Sequence, residues 1–158
     1  MKMYIVRDTG DSKDRYSVYD NCGKLVYRVA GKYGLLGDAM YIFDENGKRV
    51  FKILQTSVQL PITVYYLSGE TDKLRLTFNH MRKQYVFSGI SWHIYGLAPT
   101  YEIYDADKSV VMSQSPDSSG LGYMLEINCE GRRLLCVAAA VCINSIVVSS
   151  DTAVAFQS

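Results

Sequence analysis

Leu134-Leu-Cys-Val-Ala-Ala-Ala-Val-Cys-Ile143 is apolar on every face of a helical wheel. Leu134, Val137 and Val141 fall on one side, and Cys136, Ala140 and Ile143 on another. A helix with no polar face has to be surrounded on all sides. Everything before it reads as short, aromatic-rich strands joined by turns, so the surrounding material is expected to be sheet. The expectation is an all-β chain with one helix, its sheet closed around that helix.

The same run raises the question of a membrane. From Leu134 to Val148 it covers fifteen residues, broken by Asn144 and Ser145. A spanning helix needs roughly 20 apolar residues, and extending this one would bring Ser149, Ser150 and Asp151 into lipid. A core helix is the better reading, with no transmembrane segment. Composition agrees with one domain over residues 1–158. A chain of 158 residues that is 48% hydrophobic can fill a single core. Thirteen tyrosines against three prolines favour strands.

A net charge of +1 gives no global attraction to nucleic acid. Cys22, Cys129, Cys136 and Cys142 form no CxxC pair, and two of them lie within the apolar helix. Met1-Lys-Met-Tyr-Ile-Val-Arg7 alternates and soon becomes charged, unlike a secretory leader. A reduced, cytoplasmic protein is expected.

Three segments repeat one pattern: Tyr16–Tyr27, Met40–Phe51 and Tyr101–Met112. Each reads aromatic-x-aliphatic-aromatic-Asp, a short turn, then a second alternating strand. Asp20, Asp44 and Asp105 open the turns, since an Asp side chain can bond the backbone amides that follow. Gly23 and Gly47 supply positive φ at the close, whereas Lys108 stands where the third copy lacks its glycine, so that turn is expected to adjust. Calcium binding by Asp20/Asn21 or Asp44/Asn46 is a poorer reading, because neither turn supplies the alternating oxygen ligands and distant Glu of a calcium loop. Further strands are expected at Met3–Arg7, Ile62–Leu67, Lys73–Phe78, Tyr85–Ser88, Trp92–Tyr95 and Tyr123–Ile127, and an extended loop at Ser113–Gly122. With the hairpins this makes about twelve strands. A barrel of that size is wider than the eight-stranded kind that its own side chains fill, and a helix about 10–12 Å across suits its lumen.

The catalytic inventory is thin. His80 and His93 are the only histidines, and they form no metal-holding HxH or HExxH arrangement. No nucleophile elbow, Walker loop or dinucleotide fingerprint is present. Gly31-Lys-Tyr-Gly-Leu-Leu-Gly37 lacks the strand-to-helix setting that aims amides at a phosphate, and reads as a turn or bulge. Glu102, Asp105 and Asp107 gather in one hairpin, where a solvated face accounts for them. No catalytic residue, metal or cofactor is assigned. Between Asp72 and Lys83, however, Lys73, Arg75, Arg82 and Lys83 stand with His80 against one acid. Lys73 and Arg75 are two apart on a strand and share a face; Arg82 and Lys83, at the following turn, could approach it. Such a group can hold a phosphorylated head group. Arg132 and Arg133, near the helix start, are expected to mark the solvent boundary of the helix mouth.

The chain resembles the LURP-one-related family, whose fold is shared with the tubby C-terminal domain and looks related to phospholipid scramblases. The resemblance rests on the Tyr16–Tyr27 hairpin, on Gly34-Leu-Leu-Gly37 followed by Met40–Phe51, and on the Leu134–Ile146 helix, and spans Met3 to about Val148. It implies a twelve-stranded closed β-barrel around a central hydrophobic C-terminal helix. It also brings a type of ligand: the tubby domain binds phosphoinositide through basic side chains on its barrel, and Lys73-x-Arg75 is similar in type. The expected function is a non-enzymatic module binding phosphoinositide or anionic membrane lipid, peripheral at the membrane. The alternatives are a protein-interaction scaffold, with Tyr65, Tyr66 or Trp92 in an exposed patch, and an enzyme with an unrecognised site.

Overall fold

The structure is a computed structural model that describes residues 1–8, 14–32, 38–56 and 61–157, with helix side chains as far as Ile146. The Gly34–Gly37 segment lies outside the described residues. The described residues form twelve strands: β1 (Lys2–Arg7), β2 (Asp14–Asp20), β3 (Leu25–Lys32), β4 (Ala39–Phe43), β5 (Arg49–Gln55), β6 (Ile62–Gly69), β7 (Lys73–Asn79), β8 (Gln84–Ser88), β9 (His93–Leu97), β10 (Thr100–Tyr104), β11 (Val110–Pro116) and β12 (Gly122–Ile127). A 3₁₀ turn at Glu130–Arg132 leads into α1 (Arg133–Gln157).

The strands make one antiparallel meander in which sequence neighbours pair, and β1 returns to pair with β12. The sheet ends at β8 and β9, which share no ladder, so the barrel is nearly closed. Side chains pack that seam: Phe87 and Trp92 meet edge to face with centroids 5.6 Å apart. Because the meander alternates direction, its turns fall on two rims. The near rim carries β2–β3, β4–β5, β6–β7, β8–β9, β10–β11 and the start of α1; the far rim carries the other turns.

The three repeated hairpins close alike. Asp20 Oδ1 accepts from the amides of Cys22 and Lys24, Asp44 Oδ1 from those of Asn46 and Lys48, and Asp105 Oδ1 from those of Asp107 and Ser109. Each has a register shift one residue before its Asp, at Val18/Tyr19, Ile42/Phe43 and Ile103/Tyr104. The third turn does not adjust for its missing glycine. Lys108 takes φ 63 where Gly23 and Gly47 take 81 and 78, because the paired Asp105 bonds hold the turn in a shape that the β-branched residues would resist and a lysine tolerates. The expected loop at Ser113–Gly122 is shorter than its sequence suggests: β11 runs on to Pro116, and only the turn after it is irregular.

Inward positions of the strands join the helix in one core. Leu135 through Ile143 are buried without a break, as is Ile146. The helix continues through Asn144 and Ser145, the polar break in its apolar run. Ser145 Oγ donates back to the Val141 carbonyl at 2.7 Å, and Asn144 exchanges both amide bonds with Gln114 of β11, at 2.9 and 3.2 Å. Gln114 also accepts from the Tyr101 hydroxyl and donates to the Pro99 carbonyl. Buried polar groups so satisfied cost the helix little. At its start Arg133 Nε donates to the Tyr27 hydroxyl at 3.2 Å and Arg132 lies 3.9 Å from Asp72, placing both arginines at the near rim.

Candidate functional site

Along β7, exposed Lys73 and Arg75 alternate with buried Leu74 and Leu76, so the two cations stand together on the outer wall. Register carries that face onto the neighbouring strands. Ser68 of β6 is opposite Lys73 and Lys52 of β5 is opposite Ser68; in the next row Tyr66 is opposite Arg75, and Leu54 is opposite Tyr66. With strands about 4.8 Å apart and residues about 3.3 Å along them, Lys52, Lys73 and Arg75 sit within roughly 12 Å of one another by backbone position. Tyr66, 44% exposed, stands beside Arg75 with Leu54 and Val86 also open to solvent. Arg49 continues the group, its guanidinium 5.0 Å from the Tyr41 ring.

Arg82 and Lys83 do not join this group. Both are exposed in the β7–β8 turn on the far rim, and β7 continues from Arg75 to Asn79 before that turn begins. Four residues of strand separate the pairs by about 13 Å. The four expected cations therefore form two pairs at opposite ends of one strand.

The members that the sequence reading missed are Lys52 and Arg49. Taken strand by strand, β3 to β8 hold Arg28, Lys32, Arg49, Lys52, Lys73 and Arg75 and no acid. The remaining strands hold Lys2, Arg7 and Arg15 against Asp14, Asp20, Glu102 and Glu126. Those six acid-free strands are consecutive in the sheet. Half of the barrel wall is thus basic, although the chain's net charge is only +1.

A meander of twelve strands around one C-terminal helix is also what comparison with other proteins finds. The family model described as LURP-one-related matches residues 1–144. The chain belongs to the LURP-one-related family. It is 28% identical over 159 residues to the uncharacterized protein YxjI of Bacillus subtilis strain 168, covering 96% of each chain. A crystal structure of an Arabidopsis thaliana protein superposes with a TM-score of 0.60 over 92% of this chain and 90% of that one, at 14% identity, which speaks to the fold.

Other groups in this LURP-one-related barrel offer little reactive chemistry. Thr63 Oγ1 lies 2.6 Å from His80 Nε2, the spacing of a hydroxyl and its base. Thr63 is only 4% exposed, and the His80 ring packs edge-on against Phe78 at 4.9 Å. Burial, then nearby Lys83, holds the His80 pKa below the usual histidine value. Burial pushes the Cys136 thiol up to about 12 and raises that of Cys142 further, keeping both protonated. No group of three or more metal-ligating side chains occurs among the described residues, nor is any described helix long and apolar enough to cross a membrane. Of the aromatics considered for an exposed patch, Tyr65 and Trp92 are buried. The most exposed aromatic among the described residues is Tyr95, at 66%, lining a cavity of about 460 Å³ with His93, Tyr104, Asp105, Ala106 and Lys108.

Proposed function

We propose that this protein is a non-enzymatic binding module that docks on anionic membrane lipid, phosphoinositide head groups included, through the basic wall of β3–β8. The observation that carries the reading is the absence of any acid from six adjacent strands that hold six basic residues. Lys52, Lys73 and Arg75 supply point charges and a planar guanidinium fork for phosphate oxygens. Tyr66 and Leu54 give the same face apolar side chains that can enter the interface, a combination that suits a charged membrane surface better than a free solute. The acids nearest this face, Glu70 and Asp72, stand in the β6–β7 turn at its rim and not in the strands. Anionic lipid is concentrated in the cytoplasmic leaflet, so the reading puts the protein at that face, where its four free cysteines stay reduced.

The test is co-sedimentation with neutral, anionic and phosphoinositide-doped vesicles at low and moderate salt. Wild type is expected to pellet with the charged vesicles, less so as salt rises, and a Lys52/Lys73/Arg75 triple alanine variant to stay in solution. Failure of the folded wild type to pellet with any of them would overturn the reading. A protein-interaction scaffold would then lead, favoured by the exposed Tyr95 and its cavity beside the unpaired edge of β9.

A further inference from the structure

The far rim holds a second kind of site, away from the basic wall. There the β11–β12 turn, the end of β1, the β9–β10 turn and the helix enclose a cavity of about 310 Å³. Its lining includes Arg7, Asn144, Pro99, Pro116, Leu121 and Tyr123. Asn144 and Ser145 are the polar residues of an otherwise apolar buried helix stretch, and they arrive at this rim.

Hydrogen-bond arithmetic shows what remains unused. Gln114 is saturated: its amide nitrogen donates to Pro99 and Asn144, and its oxygen accepts from Tyr101 and Asn144. Asn144 spends one N–H and one acceptor site on Gln114, which leaves a second N–H on a side chain only 3% exposed. Tyr16, also lining the cavity, exchanges a hydrogen bond with Ser145 at 3.3 Å. The Arg7 side chain makes no hydrogen bond or ion pair among the described residues. Its near neighbour Asp8 accepts instead from Ser17 Oγ at 3.1 Å. A guanidinium at the mouth with no partner among the described residues and an unspent amide N–H on the floor both call for an acceptor between them.

We propose that this cavity binds a small organic monocarboxylate with a compact apolar body. A carboxylate matches the planar fork of Arg7 and takes a further bond from Asn144. One cation balances one negative charge, so a phosphate dianion would enter with charge uncompensated. The two prolines, Leu121 (74% exposed) and Tyr123 give the body of the ligand apolar walls. The volume is at the small end for ligand sites, which start near about 300 Å³, and suits a single ring or short alkyl chain. Gly122 keeps the wall of the cavity tight, since a Cβ there would lie 2.3 Å from the Ile5 carbonyl oxygen.

The experiment uses benzoate and hexanoate as probes and benzamide and benzylamine as controls, titrated into the full chain and followed by amide chemical shifts. Benzoate is expected to bind saturably and to move the Gly120, Gly122 and Asn144 side-chain signals. Arg7→Gln is expected to weaken it by about tenfold or more, and Arg7→Lys to weaken it less. Because Arg7 is exposed and its side chain makes no hydrogen bond or ion pair among the described residues, these variants should fold as wild type does. The Lys52/Lys73/Arg75 alanine variant should bind benzoate unchanged, which keeps this site separable from the lipid-docking wall. The proposal is overturned by no saturable binding of either acid, by equal affinity in Arg7→Gln, by equal binding of benzylamine, or by shifts centred elsewhere.

Discussion

The two halves of the barrel wall do the same work inside and different work outside. Inward residues of β5 to β7 (Phe51, Ile53, Leu67, Leu76) and of β10 to β12 and β1 (Ile103, Met112, Leu125, Ile5) are equally buried against one helix. Outward, one half carries cations without acids and the other mixes both signs. Burial drives folding and is indifferent to which charge faces water. The difference between the halves is therefore not demanded by the fold, and a use for it has to be sought in what the outer face meets.

The strongest way to test the shared interior is Ala139→Asp. It puts an unpaired carboxylate at a fully buried position, costing on the order of several kcal/mol, comparable with the stability of a whole domain. No cooperative melting and no soluble protein is the expected outcome, and an unchanged melting curve would mean that the two halves do not depend on the helix. The outer faces are tested by reversing charge, with Lys52, Lys73 and Arg75 all changed to Glu. Vesicle binding should vanish while Tm stays within a few degrees, because exposed charges contribute roughly 0–1 kcal/mol each. The same reversal at Lys2 and Lys108, both exposed on the mixed half, should leave vesicle binding near wild type; equal loss from both would erase the distinction.

Gln114→Leu probes the buried amide tie between wall and helix. It strands the Tyr101 hydroxyl, the Asn144 amide and the Pro99 carbonyl, and urea unfolding should show a loss of about 3 kcal/mol. Lys108→Gly, in the mixed half, should stabilise by roughly 0.5–1 kcal/mol in the same assay, since it removes a left-handed lysine. The smallest effect is at His80, beside the basic half. Its lowered pKa means that the folded state prefers the neutral ring. Its contribution is then full above the ordinary histidine value of about 6.5 and is lost as pH falls through the lower folded value. Unfolding measured above and below that value should show a shallower decline for His80→Gln than for wild type.

Most of the architecture was legible because it repeats locally. Asp20, Asp44 and Asp105 announce three hairpins, and period-2 alternation supplies the other strands. Position within a turn was less legible: Lys108 takes a glycine's conformation because two amides bind Asp105, a cooperation that no single residue type reveals. Why the helix tolerates Asn144 within its apolar run was not legible, because the partner that satisfies it, Gln114, lies 30 residues away. For the same reason the candidate site was half visible. Lys73 and Arg75 follow from alternation alone, whereas Lys52 joins them only through register across β6, and Arg82 with Lys83 leaves them because β7 is long enough to separate its two ends.

The order of elements along the chain has a consequence for how the protein is made. All twelve strands precede the helix that fills them, so a growing chain carries its whole wall before any of its plug. Hairpins close in about 1–10 μs, while a ribosome adding about 5–20 residues per second takes roughly 1–5 s to supply the 25 residues of α1. For those seconds the nascent sheet has inner faces and no interior. Synthesis that stalls before Ala138 leaves a lined but unfilled shell, the form of this chain that chaperones and proteases would meet first.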